Sequence, residues 1–393
     1  MKILLHIGQI KTGTTALQQS LDAASEIMLA RKVLYPRFGG NAIAHHLLLP
    51  LCGDPANLPP WSLENLGGPE AAIQKARTAW ANLCNEVRQR DPDVLVLSSE
   101  MLLGQTDGAE KARLADYMSG LSDDITPILY IRHPVEHYRS RLQEWLKTES
   151  SPLPPTRLTL REAILDTEAA FSRPPALVAF DRSTLLGGDI VQDFATRFLA
   201  PWVEAADLPP RQANAGLSAE ALVLMVRMRA EGGNTPETAR RVTRQIGHLA
   251  EIDRSDPPTM PLTLLPEVAE AALRAATDHR WLAETDRLHI PGLDVSRIDG
   301  APVPDWLMTA PPETLFPHDP DRLDRLSQAL MQAGSDSSRG KKPSGQTVRR
   351  PRRFGDLLLR FLRGLLASSN DRKNGRCADS EPIRPALITG RSR

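Results

Sequence analysis

The first residues of the chain pass from a short apolar run into a turn rich in glycine and threonine, and then into a helix-forming segment. The stretch from Lys2 to Ala24 is KILLHIGQIKTGTTALQQSLDAA. The run KILLHIG is apolar without alternation, which is typical of a strand buried on both faces of a sheet. Apolar residues between Thr14 and Arg31 recur every three or four positions, which predicts a helix. A strand, a glycine turn and a helix N-terminus direct backbone N–H groups at an anion, so this order predicts an anion-binding loop.

Strand-like and helix-like segments then alternate along the first half of the chain. Each strand-like run is short and apolar, and helical periodicity follows it. This alternation predicts parallel strands with helices on both faces of the sheet. We therefore expect residues 1–210 to form an α/β core of three layers around a central parallel sheet. The strand-like runs are KVLYP, DVLVLSSE (93–100), ITPILYIRHP (125–134) and PALVAFD (175–181), and the helical segments are 70–90, 110–120 and 135–147.

Strand signals fade after about residue 211. Residues 211–334 carry apolar side chains at helical spacing, which predicts a helical cap on the core. The remaining residues, 335–393, form a separate tail. Its first part, 335–353, is poor in hydrophobic residues and rich in Ser, Gly, Pro and Arg, which predicts a disordered linker. The run from Phe354 to Ser368 places Phe and Leu on one broad arc, as in an amphipathic helix.

The tail also differs from the rest of the chain in charge. The whole chain has 48 Lys and Arg and 48 Asp and Glu, so its net charge is zero. From Arg339 onward there are 15 basic and 4 acidic residues, so this tail carries +11 and the body −11. A basic segment beside an amphipathic helix predicts contact of residues 349–368 with an anionic membrane surface. Docking on the acidic body or on another subunit is the alternative, whereas the few aromatic residues disfavour a nucleic-acid partner.

Cysteine usage and hydropathy bear on the compartment. The three cysteines have no metal-type spacing, and an odd, sparse count is typical of a reducing compartment. The N-terminus lacks the apolar region of a signal peptide, and no apolar run reaches the roughly 18 residues of a membrane span. These features predict a cytoplasmic protein, peripheral at the inner membrane face if the tail binds lipid. We also expect no bound metal ion.

The lysine of the first loop is out of place for an ATP- or GTP-binding loop. Gly8 and Gly13 have the spacing of the nucleotide-binding P-loop, but Thr14 stands where that loop has its lysine. Lys11 instead precedes Gly13 by two residues. An NTPase needs its lysine on the terminal phosphates and the next hydroxyl on magnesium. This loop therefore indicates a different anionic ligand.

The segment HIGQIKTGTTALQ, His6 to Gln18, resembles the loop with which sulfotransferases bind the 5′-phosphosulfate of PAPS (3′-phosphoadenosine 5′-phosphosulfate). It is similar above all to the form in bacterial and carbohydrate-type members. The resemblance implies a P-loop-like fold, PAPS as sulfuryl donor and no metal. It also implies a set of residues that bind the cofactor. These are Lys11, Thr12, Gly13, Thr14 and Thr15.

A second motif supports the same family. In ILYIRHPVEHYRSRLQEW, a buried strand ends at Arg132, Pro134 opens a helix, and Ser140 lies eight residues past Arg132. The planar fork of arginine suits a phosphate. An Arg followed eight residues later by Ser resembles the motif with which sulfotransferases bind the 3′-phosphate of PAPS. This phosphate distinguishes PAPS from ATP.

The resemblance implies transfer of a sulfuryl group to a hydroxyl or amine of a small-molecule, carbohydrate or glycolipid acceptor, with release of PAP. Lys11 would neutralise charge on the oxygen that leaves sulfur. Three residues are candidates for the base. His45 and His46 lie in NAIAHHLLLPL, where histidines can titrate near neutral pH, and the family alignment favours His45. Glu100 stands at the C-terminal end of a predicted strand, at the sheet edge where ligands of α/β proteins bind, and could instead hold Lys11 or a backbone amide.

Two other functions are consistent with an anion-binding loop. A P-loop kinase acting on a small molecule would need ATP and magnesium, and the position of Lys11 and the pair Arg132 and Ser140 argue against it. A non-catalytic protein that senses PAP would use the same loop and would need neither Glu100 nor a histidine.

Overall fold

The structure, a computed structural model, describes residues 1–40, 43–54, 58, 66–147, 149–155, 159–210, 216–232 and 236–337. Within these ranges five strands form one sheet, and all of them run parallel. The predicted α/β class with a central parallel sheet is confirmed. The strands are β1 (Lys2–His6), β2 (Val33–Leu34), β3 (Val94–Ser98), β4 (Ile125–Ile131) and β5 (Ala176–Ala179), in the spatial order β2-β3-β1-β4-β5.

Helices occupy most of the connections between the strands. The predicted helix from Thr14 to Arg31 is observed as two, because the backbone leaves helical geometry at Ala24. The helices of the first half are α1 (Thr14–Ala23), α2 (Ser25–Ala30), α3 (Leu48–Cys52), α4 (Pro69–Arg90), α5 (Met101–Gln105), α6 (Gly108–Ser119), α7 (Pro134–Trp145), α8 (Leu160–Phe171) and α9 (Ile190–Phe194).

Local sequence explains where several helices begin. Pro134 stands in the first turn of α7, where its fixed φ suits the helix and its missing N–H is not needed. Asp107 and Glu110 form a capping box at the start of α6, in which each side chain accepts the backbone N–H of the other residue. These signals position α6 and α7 beside the sheet.

Both faces of the sheet are buried, as the unbroken apolar strands predict. Successive residues of β1 point to opposite sides: Leu5 packs with Leu97 in one apolar core, and Leu4 packs with Val96 in another. Since the side-chain period of a strand is two, one apolar run supplies both cores. Because both faces are covered, a ligand can reach the sheet only at the ends of its strands.

The described residues after 216 contain helices and no β-strand. They belong to the same compact unit as the core. The predicted start of the cap at residue 211 falls on residues 211–215, which lie outside the described ranges, so this boundary stays a prediction. The helices are α10 (Ala219–Gly232), α11 (Pro236–Ser255), α12 (Pro266–Arg274), α13 (Thr277–Glu284), α14 (Asp305–Thr309) and α15 (Pro320–Ser337).

A buried arginine ties three of these helices together. Arg322 on α15 is fully buried and donates to Glu220 of α10 at 2.6 Å and to Asp253 of α11 at 2.7 Å. It also donates to Ser218 Oγ at 2.7 Å. A buried charge is tolerated only when it is paired, so the packing of these three helices depends on the ion pairs that Arg322 makes.

The structure describes only residues 335–337 of the predicted tail. Helix α15 reaches Ser337, so the first three residues of the predicted linker are helical. The remaining linker, the amphipathic helix over 354–368 and the membrane contact lie outside the described residues and stay predictions. No described helix has both the length and the apolar character of a membrane span.

Candidate functional site

Three segments singled out in the sequence emerge at one edge of the sheet. In the register of the sheet, His6 at the end of β1 lies opposite Ser98 of β3 on one side and Ile128 of β4 on the other. The loop of residues 7–13 follows β1, Glu100 follows β3, and Arg132 follows β4. Because the strands are parallel, all three segments leave the sheet at its carboxyl edge, where ligands of open α/β sheets bind.

Gly13 occupies a position that only glycine fits. Its φ of 78° lies in the left-handed region, and a Cβ there would stand 3.1 Å from Ile190 Cγ2 and 3.2 Å from Phe180 Cε2. Gly13 caps the N-terminus of α1, so these contacts set where the helix begins. Lys11 also has a positive φ, 69°. The loop therefore turns sharply just before it enters the helix.

The threonine hydroxyls of the loop differ in their surroundings. Thr12 Oγ1 donates to the carbonyl oxygen of Gln9 at 2.6 Å and is buried, so it closes the loop. This contact argues against the predicted role of the Thr12 hydroxyl as a ligand donor. Thr14 Oγ1 is buried and has no hydrogen-bond partner among the described residues, and Thr15 is exposed. Thr14 and Thr15 are therefore the hydroxyls that could meet a ligand.

The loop is bonded directly to the segment that follows β4. Arg132 donates through Nη1 to the carbonyl oxygen of Lys11 at 3.1 Å, and its backbone N–H donates to Gln9 Oε1 at 3.0 Å. His137 Nε2 lies 3.1 Å from the carbonyl oxygen of Ile10. Burial lowers the pKa of His137 well below its ordinary value, so the ring is neutral and Nε2–H is the donor. The two predicted anion-binding motifs thus form one structural unit.

Lys11 forms an ion pair that the sequence analysis did not foresee. Its Nζ lies 3.2 Å from Glu144 Oε2, and Lys147 Nζ lies 2.8 Å from the same oxygen. Burial lowers the pKa of Lys11, and Glu144 opposes that shift. Burial alone would raise the pKa of Glu144, but Lys11 and Lys147 outweigh it and hold that pKa below its ordinary value. Each partner therefore favours the charged form of the other.

Ser140 lies on the face of α7 that meets the loop. On that helix His137 contacts Ile10 and Glu144 contacts Lys11. Ser140 is three residues after His137 and four before Glu144, and residues with these spacings share one helix face. It is half-buried. The geometry thus brings Ser140 to the side of the helix on which Arg132 and the loop lie.

His45 has no free ring nitrogen. It is fully buried, its Nδ1 accepts the backbone N–H of Ser98 at 3.0 Å, and its Nε2 lies 2.9 Å from the carbonyl oxygen of Pro36. Burial lowers the pKa of His45 to about 3. A neutral ring with both nitrogens in use cannot take a proton from a substrate, so the geometry argues against the predicted base role of His45. The ring instead holds the end of β3 in place.

The other two base candidates lie at the end of β3. Glu100 is 6% exposed, and its Oε2 accepts from Gln18 Nε2 at 3.1 Å. His46 is half-buried, with Nδ1 3.2 Å from Ser99 Oγ. Pairing of Glu100 with Lys11 is the alternative that the sequence suggests, but Lys11 pairs with Glu144. Glu100 and His46 thus lie at the carboxyl edge of the sheet, each with a hydrogen-bond partner.

Several residues of the site were missed from the sequence. Glu144 could have been found from helix periodicity, since it follows Ser140 by one helical turn. Gln9, Gln18 and His279 had no sequence signal. His279 on α13 is buried and its Nε2 lies 3.1 Å from the carbonyl oxygen of Arg132. Helix α13 therefore contacts the backbone of this arginine.

Unsatisfied polar atoms gather around the loop. Of the buried side-chain atoms without a hydrogen-bond partner among the described residues, four belong to residues 6–18: His6 Nε2, Gln9 Nε2, Thr14 Oγ1 and Gln18 Oε1. Leaving a buried polar group unpaired costs about 1–3 kcal/mol. Such groups usually pair with ordered water or a ligand, so their concentration beside one loop makes it a candidate binding site. Within the described ranges no group of His, Cys, Asp and Glu could hold a metal ion.

Comparisons with known proteins assign no family. No family model matches the chain, and searches of curated proteins and of solved structures find no match. The functional assignment therefore depends on the motifs and on the geometry described above.

Proposed function

We propose that the chain is a PAPS-dependent sulfotransferase with a P-loop-like core. It transfers a sulfuryl group from PAPS to a hydroxyl or amine of a carbohydrate or glycolipid acceptor and releases PAP. The observation that carries the proposal is the bond between Arg132 and the Lys11 carbonyl, at 3.1 Å. It joins a cation from each of two motifs at one sheet edge, which suits a ligand that is phosphorylated at two positions.

The residues around the loop fit the 5′ end of such a ligand. The N-terminus of α1 supplies backbone N–H groups and a positive dipole. Thr14 Oγ1 and Gln9 Nε2 are buried groups without partners among the described residues, and each can donate to an anionic oxygen. Lys11 supplies the charge. On the 3′ side, Arg132 and Ser140 would bind the second phosphate.

The chemistry divides between the two ends of the site. In sulfuryl transfer the acceptor oxygen or nitrogen bonds to sulfur, the bond from sulfur to the phosphate oxygen breaks, and the acceptor loses a proton. The Lys11 ammonium would stabilise charge on the departing oxygen. Glu100 or His46 would take the proton. His45 would hold the end of the strand that precedes Glu100.

Calorimetry with PAP and ADP tests the proposal. We expect wild type to bind PAP at least about tenfold more tightly than ADP, because a phosphate contact contributes about 1.5–3 kcal/mol. The variant Arg132→Ala should lose this preference, whereas the control Arg173→Ala, on an exposed ion pair with Asp124, should keep it. Melting temperatures check that both variants are folded.

Equal affinity of wild type for PAP and ADP would overturn the proposal. Tight, magnesium-dependent ADP binding would favour the kinase. Transfer of [³⁵S]sulfate from PAPS to a panel of saccharides and glycolipids separates an enzyme from a PAP sensor. Binding of PAP without any PAP release from PAPS would indicate the sensor.

A further inference from the structure

A buried glutamine connects the anion loop to one of the two base candidates. Gln18 on α1 is fully buried, and its Nε2 faces the end of β3. Nε2 lies 3.1 Å from Glu100 Oε2, 3.1 Å from Ser98 Oγ and 3.4 Å from the Ser98 carbonyl oxygen. Gln18 belongs to the helix that begins at the loop, whereas Glu100 follows another strand. The amide therefore bridges the two halves of the candidate active site.

The orientation of this amide follows from its neighbours. A carbonyl oxygen and an ionised carboxylate can only accept hydrogen bonds. The reversed amide would turn its own oxygen toward both Glu100 and the Ser98 carbonyl, and no donor would remain between them. The NH₂ group must therefore face Glu100. This places a fixed donor against one carboxylate oxygen.

The network continues to the strand that precedes the loop. Since Ser98 Oγ accepts from Gln18, its own proton is free to go to His6 Nδ1, 2.8 Å away. His6 then carries its proton on Nε2, which would lie 2.7 Å from a Cβ at Gly8. Burial lowers the pKa of His6 to about 4, so the ring is neutral at pH 7. The chain His6–Ser98–Gln18 thus consists of neutral groups and ends on the carboxyl group of Glu100.

We propose that Gln18 is a positioning residue that holds Glu100 as the base of the transfer, with Ser98 and His6 fixing Gln18 in turn. The inference rests on the proposed function and selects Glu100 over His46. A glutamate side chain has three rotatable bonds, and a base must stand within hydrogen-bond reach of the proton it takes. Gln18 holds one carboxylate oxygen and leaves the other for the acceptor.

The link between Glu100 and α1 supports this choice. Glu100 is held from α1, the helix whose N-terminus would bind the phosphosulfate. A base that is linked to this helix keeps its position relative to the donor.

The test compares Gln18→Met with Gln19→Met. Methionine keeps the length of glutamine and removes the donor, and Gln19 is the half-buried neighbour on the same helix. PAP release from PAPS is measured with the best acceptor of the saccharide and glycolipid panel, or with water, and PAP affinity is measured by calorimetry. We expect Gln18→Met to lower kcat by about tenfold to a hundredfold, the range expected for a displaced catalytic group. PAP affinity should change by less than about twofold, because Gln18 positions the base and not the nucleotide.

A double-mutant cycle with Glu100→Gln shows whether Gln18 acts through Glu100. If it does, Gln18→Met should cost almost nothing more in the Glu100→Gln background. Additive losses, an unchanged kcat in Gln18→Met, or a parallel loss of PAP affinity would overturn the inference while the sulfotransferase function stands. A large loss in His46→Asn with a normal rate in Glu100→Gln would assign the base to His46 and also overturn it. Absence of PAP release by wild type would overturn both proposals.

Discussion

Arg132 donates through Nη1 to the carbonyl oxygen of Lys11 at 3.1 Å, although 121 residues separate them in the sequence. The bond joins the segment after β4 to the loop after β1. Arg132 also lies over the ring of Phe180, whose Cε2 is 3.2 Å from the position that a Cβ at Gly13 would take. The arginine and the loop therefore share one support, so a ligand that contacts both motifs meets a site whose halves are already aligned.

The charge of Lys11 should matter more for transfer than for nucleotide binding. We expect Lys11→Ala to lower kcat by about a hundredfold or more, because it removes the cation at the departing oxygen. PAP should still bind within about tenfold of wild type, since Arg132 and the start of α1 remain. Rates of PAP release and calorimetry with PAP measure the two effects, with the half-exposed Lys32→Ala as control. A normal rate in Lys11→Ala would remove Lys11 from this role.

Glu144 should set the alkaline limit of activity. Burial, Lys147 and Arg132 lower the pKa of Lys11, and Glu144 raises it. Glu144→Gln removes the opposing charge, so the pKa of Lys11 should fall further. Because transfer needs the charged lysine and the charge is lost as pH rises, the alkaline limb should move to lower pH by about one unit.

Rates of PAP release between pH 6 and 10 check this shift. The control is Glu162→Gln, an exposed glutamate in the first turn of α8, which should leave the profile unchanged. An alkaline limb that stays in place, or moves to higher pH, in Glu144→Gln would contradict the ion pair as the source of the dependence.

Gly13 and Gly188 form a matched pair for separating backbone strain from packing. Both have a φ of 78°, but only at Gly13 would a Cβ meet neighbours within 4 Å. Gly13→Ala and Gly188→Ala should both lower the free energy of unfolding, because alanine is strained at a positive φ. Gly13→Ala should lower it by about 1–3 kcal/mol more, because its methyl group also overpacks against neighbouring side chains. Urea unfolding measures both. Equal losses would show that Ile190 and Phe180 move aside at little cost.

Arg322 should be essential for the packing of the C-terminal helices. Arg322→Met leaves two buried carboxylates, Glu220 and Asp253, without their cation, and should cost about 3–5 kcal/mol of unfolding free energy. Arg325→Met, three residues later on an exposed pair with Asp256, should cost less than about 1 kcal/mol. Chemical denaturation compares the two. Similar small losses would mean that the cluster does not hold the helices.

The sequence predicted the elements well because their signals are local. An apolar run without alternation indicates a doubly buried strand wherever it occurs, and the five predicted strands are observed. Parallel strands bring their carboxyl ends to one edge, so the loop of Lys11 and the segment of Arg132 could be expected near each other. The break at Ala24 was missed because apolar periodicity continues across it.

The side-chain partners inside the site were decided by tertiary structure. Lys11 pairs with Glu144 across 133 residues, and His45 receives the N–H of Ser98 across 53. Such pairings depend on which faces of distant elements pack together. They also depend on which hydrogen-bond acceptors are still unpaired after packing, and residue spacing reveals neither. Apolar runs and residue spacing were therefore enough to predict the parallel sheet and the edge at which Lys11 and Arg132 lie. Tertiary packing was needed to show that both ring nitrogens of His45 are occupied and that Gln18 contacts Glu100, because burial and hydrogen bonding act between residues far apart in sequence.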